Sequence, residues 1–540
     1  MTKVSENKEL CPKPPPQFVR DATGLVRSFN WFDAFMMSAA VTGASYYGYA
    51  SQIGFVAPAD PGADFTISAL IGFIFTIPLG VLYYIFSVRV PRSGGDYVWI
   101  SRSSHPTIGF MSGWAMWLSF LALLSGGASA FGAVVLPVYF ATLGYAWNIP
   151  SLISLATSFA SPTNIFLGAV SLVVLGMLIN SLGPRFWSRV MIILTIIINV
   201  GTYLSFILFA TTSNQSFVNA FNSYPPNLAN NVTYTGIITQ AQTAGWAYQP
   251  VTTFLTILSI PFGVLLFSGF NFATVAGGEI RKTKQSMFWG TLFALVYSAV
   301  IELIGLSLSI NTIGYKFNQA AFALAGSGTW PLAAPPWVGL LLPMVVSNSV
   351  VLFFLQLGWL LFDIWWISAL LLVCSRYVFA FSFDRLLPSA FASVNDRLRL
   401  PLNAMIVNFV GAIIFIYITS FTTFIGTFLN TTTIWSVVWA ILGIVAVALP
   451  HWKRELAEQM IGSKLRVPLI SIVGFFTIVM AVVTFYFSVT TAAIGPSTIQ
   501  SDLVLVGVFL SGAIIFLISY LYHKREGIDI RMIGREIPPE

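Results

Sequence analysis

Long runs of apolar residues, separated by short polar stretches, make up most of this chain. Each run approaches the length of about 20 residues that an α-helix needs to cross the hydrocarbon core of a bilayer. Twelve such runs predict twelve membrane-spanning helices, at residues 31–55, 67–88, 108–138, 164–183, 188–210, 252–277, 287–311, 357–383, 403–426, 432–450, 467–490 and 502–522. A further stretch, 337–356, is apolar enough to be a thirteenth span.

The distribution of positive charge argues against a thirteenth span. With twelve spans and a cytoplasmic N-terminus, 25 of the 26 Lys and Arg residues lie on the inner side, and Lys316 is the exception. A thirteenth span would place twelve of those charges outside, although cytoplasmic loops normally carry the excess of Lys and Arg. Residues 337–356 are therefore expected to form an outer-surface or re-entrant helix that leads into span 8. Both termini are expected to face the cytoplasm.

Composition agrees with a chain that lies in lipid. Of its 540 residues, 56% are hydrophobic and 8% are charged, whereas soluble domains carry about 25% charged residues. The net charge of +7 follows from the inner loops, so it favours contact with anionic lipid and does not indicate nucleic acid binding. Cys11 and Cys374 provide no CxxC motif and no disulfide framework. We expect an all-α polytopic protein of the plasma membrane.

Two of the predicted spans are interrupted by small and polar residues. Span 1 contains Thr42, Gly43, Ala44 and Ser45, and span 6 contains Ser268, Gly269 and Asn271. Backbone that leaves the helix within a bilayer is tolerated only beside protein or a cavity. Packing of small residues would explain either interruption alone. Paired interruptions at corresponding places in two halves, however, are typical of a transporter's binding site at the bilayer midplane.

Four segments resemble the amino acid–polyamine–organocation (APC) superfamily of permeases. "VPRSGGDYVWISRSSHPTIGFMSGW" (90–114) is similar to the segment that follows span 2 in this family, and "INSLGPRFWSRV" (179–190) is similar to its turn before span 5. "GFN", which begins at Gly269, together with the later Gly278-Glu279, resembles the family's span 6 signature, and "CSRYVFAFSFDRLLPSAF" (374–391) resembles the segment that ends span 8. The similarity covers at least residues 31–450.

The resemblance implies a LeuT-type fold of twelve helices, with a five-plus-five inverted repeat and with helices 1 and 6 broken. The expected organisation is a disordered cytoplasmic tail (1–30), a ten-helix core (31–450) made of repeat one (31–210) and repeat two (252–450), helices 11 and 12 (451–522), and a cytoplasmic C-terminal tail (523–540). It also implies an amino acid substrate that lies between the two breaks.

The expected substrate site follows from the chemistry of helix ends. Free N–H groups and hydroxyls of Thr42, Gly43, Ala44 and Ser45 suit a carboxylate, because helix N-termini attract anions. Carbonyl groups at the second break suit an ammonium group, and they belong to Phe267, Ser268, Gly269 and Phe270. At Asn271 the family usually has an acidic residue, so one charge is missing here.

Residues that bind a coupling ion are expected among the polar groups within the spans, because a carboxylate there is costly and usually functional. Asp363 and Glu302 are the candidates for binding a proton, and Ser368 and Ser375 are candidates for binding sodium. Span 5 lacks the lysine that replaces sodium in some relatives. Proton, sodium and exchange coupling all stay open, as do the identity of the amino acid, the direction of transport and the oligomeric state.

The same sequence features are compatible with functions other than that of an amino acid permease. A polyamine or other organic-cation permease is the alternative within the same class, and a non-transporting amino acid sensor or a channel is the alternative outside it. No catalytic or nucleotide-binding motif is present in the sequence, so we expect neither an enzyme, nor a cofactor, nor a metal centre. The sequons at Asn214, Asn231 and Asn430 lie on the expected outer side, and their glycosylation stays open.

Overall fold

The described part of every predicted span is mainly helical in a computed structural model, which describes residues 24–424, 430–452, 466–491 and 498–535. The first half contains α1 (Trp31–Val41), α2 (Tyr46–Ala59), α3 (Phe65–Arg89), α4 (Asp96–Ser103), α5 (Pro106–Ala130), α6 (Leu136–Ala146), α7 (Pro150–Ser158), α8 (Pro162–Ser181) and α9 (Pro184–Thr211). A π-helical turn, Phe131–Val135, joins α5 to α6, so that these two form one long helix.

Short helices follow α9, and long ones resume with span 6. The central part contains α10 (Asn214–Ser223), α11 (Pro225–Ala229), α12 (Tyr234–Thr243), α13 (Thr253–Leu258), α14 (Ile260–Phe267), α15 (Phe272–Val275), α16 (Thr283–Met287), α17 (Ala294–Ile313) and α18 (Tyr315–Gly326). The last part contains α19 (Val338–Leu341), α20 (Ser349–Phe383), α21 (Leu402–Phe421), α22 (Thr431–Trp452), α23 (Arg466–Thr490) and α24 (Ile499–Arg525).

Eleven helices among the described residues are long and apolar enough to cross a membrane. Span 1 is divided into α1, of 11 residues, and α2, of 14 residues, and neither piece is long enough alone. Counted together they form the twelfth span. The prediction of an all-α polytopic membrane protein is therefore confirmed. The predicted tails lie outside the described residues over 1–23 and 536–540.

The doubtful stretch 337–356 is not one continuous helix. It begins with the single turn α19 and a 3₁₀ turn, Leu342–Val345, and the helical structure then stops. Helix α20 starts at Ser349, because the side chain of Asn348 accepts hydrogen bonds from the backbone N–H groups of Val350 (2.9 Å) and Val351 (3.2 Å). The predicted start of span 8 at residue 357 was therefore eight residues too late.

Glycine pairs bring neighbouring spans into close contact. A methyl group on Gly72 of α3 would lie 2.2 Å from the carbonyl carbon of Gly263 in α14. Likewise, a methyl group on Gly443 of α22 would lie 2.9 Å from the carbonyl oxygen of Gly474 in α23. Helices approach this closely only where small residues meet. Helix α20 lies at the centre of the bundle, with 78% of its most apolar segment buried, against 22% for the peripheral α24.

A cap of short helices closes one end of the bundle. Helices α10, α12 and α18 meet through an aromatic cluster of Phe217, Phe221, Tyr234 and Phe317, and the ring centroids of Tyr234 and Phe317 lie 4.4 Å apart. Within the cap, the side-chain amide of Gln319 donates to the carbonyl oxygens of Pro61 (2.6 Å) and Gln249 (2.8 Å). The cap thus ties the chain that follows span 1 to the chain that precedes span 6.

Candidate substrate site at two broken helices

The break in span 1 lies where the sequence predicts it. Helix α1 ends at Val41, and Gly43 then adopts a φ of +72°, which residues with a side chain rarely tolerate. Ser45 caps the second half, since its hydroxyl accepts a hydrogen bond from the N–H of Gly48 at 3.1 Å. The small residues of this segment therefore end one helix and start the next.

Most backbone donors of this break already have partners within the chain. The N–H groups of Gly43 and Ala44 donate to the carbonyl oxygens of Ala40 (3.3 Å) and Ala39 (3.2 Å). The N–H of Tyr46 donates to the hydroxyl of Thr202 on α9 at 2.9 Å. The hydroxyl of Thr42 lies 2.5 Å from the Ser298 hydroxyl on α17. A ligand carboxylate would have to compete with these bonds.

Span 6 is tightened at its interruption and does not uncoil. Residues Ser268–Asn271 form a 3₁₀ turn between α14 and α15. The Ser268 hydroxyl donates to the carbonyl oxygen of Val264 at 2.6 Å, and the carbonyl oxygen of Gly269 accepts from the N–H of Phe272. A 3₁₀ turn inside a helix is a common mark of a hinge. This 3₁₀ turn coincides with the residues "SGFN" that interrupt the apolar run of span 6.

The structure brings the two breaks into direct contact. A methyl group on Gly269 would lie 2.4 Å from the carbonyl carbon of Val41 and 2.5 Å from the nitrogen of Thr42. The nine residues predicted for the substrate site are all buried, namely Thr42, Gly43, Ala44, Ser45, Phe267, Ser268, Gly269, Phe270 and Asn271. In this state the two breaks close on each other.

Tyr83 and Tyr377, which the sequence did not single out, complete the surroundings. The ring of Phe270 packs edge-on against Tyr83 of α3, with centroids 5.6 Å apart. Tyr83 and Tyr377 both donate to Asp96, at 3.0 and 2.6 Å. Burial raises the pKa of Asp96 above its usual range, while these hydrogen bonds act in the opposite direction. The motif "SGGDY" contains Asp96, but its tyrosine partners lie outside the motif, Tyr83 in the preceding span and Tyr377 in span 8.

The candidate coupling residues differ in their surroundings. Glu302 is fully buried on α17, and neither of its carboxylate oxygens has a hydrogen-bond partner. Asp363 on α20 is 2% exposed, and its Oδ2 also lacks a partner. The Ser368 hydroxyl is unpartnered as well, whereas Ser375 donates to Leu372 and accepts from Arg376. Among the four candidates, Glu302, Asp363 and Ser368 therefore have unpartnered side-chain oxygens, whereas Ser375 does not.

Comparison with known proteins identifies the family. The family model described as "Amino acid permease" matches residues 29–510, which is most of the chain. This chain belongs to the amino acid permease family. It is accordingly a multi-pass membrane transporter of the amino acid type, and this is a transport family and not an enzyme family. The resemblance seen in the sequence motifs is confirmed.

The chain also resembles a viral protein over a short stretch. "Uncharacterized protein 399" of Sulfolobus islandicus rod-shaped virus 1 is 29% identical to it over 105 residues, which are 19% of this chain and 25% of that protein. The permease thus spans a quarter of the length of this relative.

Buried ion pairs hold the helix ends of this permease together on the side of its basic loops. Arg376 of α20 contacts both carboxylate oxygens of Glu279, at 2.7 and 2.8 Å, and both side chains are 1% exposed. Arg102 of α4 contacts Asp384 at 2.7 Å. Separating such pairs leaves uncompensated buried charge, which is costly. The C-terminal end of span 6 is therefore held to span 8.

Proposed function

We propose that this permease is a secondary active transporter that moves an amino acid across the plasma membrane by alternating access, coupled to protons or operating by exchange. The proposal rests mainly on the contact between the two broken helices. Two interrupted spans that meet in a buried centre can separate and close again about a small ligand. The site residues would be the nine that surround this contact.

The proposal includes the orientation and the internal organisation of the chain. Both termini would lie in the cytoplasm, as the charge distribution favours. Repeat one (31–210) and repeat two (252–450) would be inverted with respect to each other, because the two breaks lie five spans apart. Membrane lipid and the amino acid would be the binding partners.

A polyamine or organic-cation permease is the second candidate. It is favoured by the acceptor-rich surroundings of the first break, where most N–H donors are committed while the Glu302 oxygens are free. Such a site suits an amine better than a carboxylate. A ligand screen separates the two substrate classes.

The screen is a thermal-shift measurement on the purified protein with each of the common amino acids, and with putrescine and spermidine. A ligand at a hundred times its dissociation constant stabilises the folded state by about 2.7 kcal/mol. We expect at least one amino acid to raise the unfolding temperature, and we expect Gly269→Ala to abolish that rise, because its methyl group would push the two breaks apart. Gly126→Ala, a span position with open space around it, is the control. A rise with the amines alone would favour the second candidate.

A further inference from the structure

The carboxyl group of Glu302 faces the break in span 1. A methyl group on Gly48, in the first turn of α2, would lie 2.3 Å from Glu302 Oε1 and 1.6 Å from the carbonyl oxygen of Gly43. A methyl group on Gly43 would lie 3.5 Å from the same Oε1. Three groups therefore meet at one place: the side-chain carboxyl group of Glu302, the carbonyl group of Gly43, and the first turn of α2.

This carboxyl group differs from the paired acids of the interior. Glu279 is bound by Arg376, Asp384 by Arg102, and Asp96 by two tyrosines. Glu302 is as deeply buried as these acids, yet both of its oxygens lack partners. An ionised carboxylate in such a place is strongly disfavoured unless a cation accompanies it. The unpartnered oxygens therefore indicate a position for a proton or another cation.

Nearby contacts connect this position to the movement of the break. Ser298 lies four residues before Glu302, on the same face of α17, and its hydroxyl is 2.5 Å from that of Thr42. Helix α17 thus contacts the break at two successive turns. Any separation of α1 and α2 from α17 changes the surroundings of Glu302.

A proton is the cation that needs no added space beside this carboxyl group. On the side of Gly48 the helix backbone lies too close to Oε1 for an added carbon. A protonated Glu302 needs no extra room, and its O–H can donate to the carbonyl oxygen of Gly43. The ionisable Tyr49 of α2 packs against α17 at Gly305, three residues after Glu302. Its hydroxyl is bound to Ser205 at 2.7 Å, so it does not partner the carboxyl group.

We propose that Glu302 binds the coupling proton of this permease, in contact with the broken segment of span 1. The proposal rests on the proposed transport function and deepens it. The carboxylate takes a proton from water on the side where the substrate enters, and the neutral acid closes against Gly43. When the break opens to the other side, the proton passes to water there, and the carboxylate is restored. Asp363, the other candidate, lies on α20 with 2% of its surface exposed and is not required for this step.

The test uses proteoliposomes that contain a pH-sensitive dye, with a mixture of the common amino acids added outside and a mixture of putrescine and spermidine as a second arm. In the wild type, one of the mixtures should acidify the lumen and should also exchange with internal substrate. Glu302→Gln keeps the shape of the neutral acid, and its amide can still donate to Gly43. It should therefore retain exchange and lose the acidification. Asp363→Asn should retain both.

The outcomes separate this proposal from the function on which it rests. Absence of exchange in the wild type with both mixtures would overturn the proposed function, and the proton site with it. Exchange with an acidification that persists in Glu302→Gln would overturn the proton site alone. Wild-type accumulation that follows a sodium gradient and ignores pH would do the same.

A second measurement keeps the proposal testable if Glu302→Gln does not fold. Infrared difference spectra of Asp363→Asn, recorded with and without the active mixture, should contain a carboxylic acid band that shifts on binding. Substrate affinity should also fall with rising pH, by up to about tenfold per unit for one linked proton. Loss of the band in Asp363→Asn would assign it to Asp363 and would contradict the assignment to Glu302.

Discussion

Gly48 determines how closely the second half of span 1 approaches α17. Its α-carbon lies where a side chain would overlap both the Gly43 carbonyl oxygen and Glu302. Gly48→Ala should therefore lower the unfolding temperature and the transport rate, because overpacking costs about 1–3 kcal/mol. Thermal unfolding of the purified variant, beside Gly126→Ala, measures this effect. Gly126 has no neighbouring atom within 4 Å of an added methyl group, so the control should match the wild type. Equal stability of the two variants would contradict the contact.

At the scale of single residues, the sequence predicts where span 1 breaks better than it predicts which distant residues contact the break. Gly43 and Ser45 are recognisable as a helix end and a helix start, because positive φ and N-capping are local properties. The contacts between Thr42 and Ser298 and between Gly48 and Glu302 join residues more than 250 positions apart. They depend on how α17 packs against span 1, and no local pattern specifies that packing.

At the scale of the helices, the sequence predicts the number of spans but not their exact ends or their local geometry. Apolar run length predicted the twelve spans, and charge predicted that 337–356 is not a full span. The true start of α20 was missed, because Asn348 caps the helix inside a stretch that hydropathy does not divide. The 3₁₀ form of the second break was also missed, since small residues indicate an interruption but not its geometry.

The orientation of these helices is open to a labelling test. Ser223 at the end of α10 and Ser393 after α20 are both exposed. In intact cells, an impermeant maleimide should modify Ser223→Cys but should reach Ser393→Cys only after permeabilisation. Cys374 is fully buried and should not react. The reverse pattern would contradict the proposed topology and, with it, the inverted arrangement of the repeats.

Across the whole molecule, buried contacts at two ends of the bundle flank the place where the two breaks meet. The cap holds the chain around spans 1 and 6 together at one end through Gln319, and the Arg376–Glu279 pair holds span 6 to span 8 at the other end. Between them, the breaks touch at Gly269 and Thr42. The family match over residues 29–510 covers all of these parts. A transport cycle would require each end contact to open in turn while the other stays closed.

Counterflow tests this account most directly. Proteoliposomes are loaded with an unlabelled amino acid, chosen as the one with the largest thermal shift, and are diluted into a trace of the labelled form. An alternating-access carrier should concentrate the label inside transiently, with a rate that saturates, because each return of the site carries substrate outward and inward in turn. A channel would give flux without transient accumulation, and a sensor would give none. Either of those results, obtained with a ligand that demonstrably binds, would contradict the account.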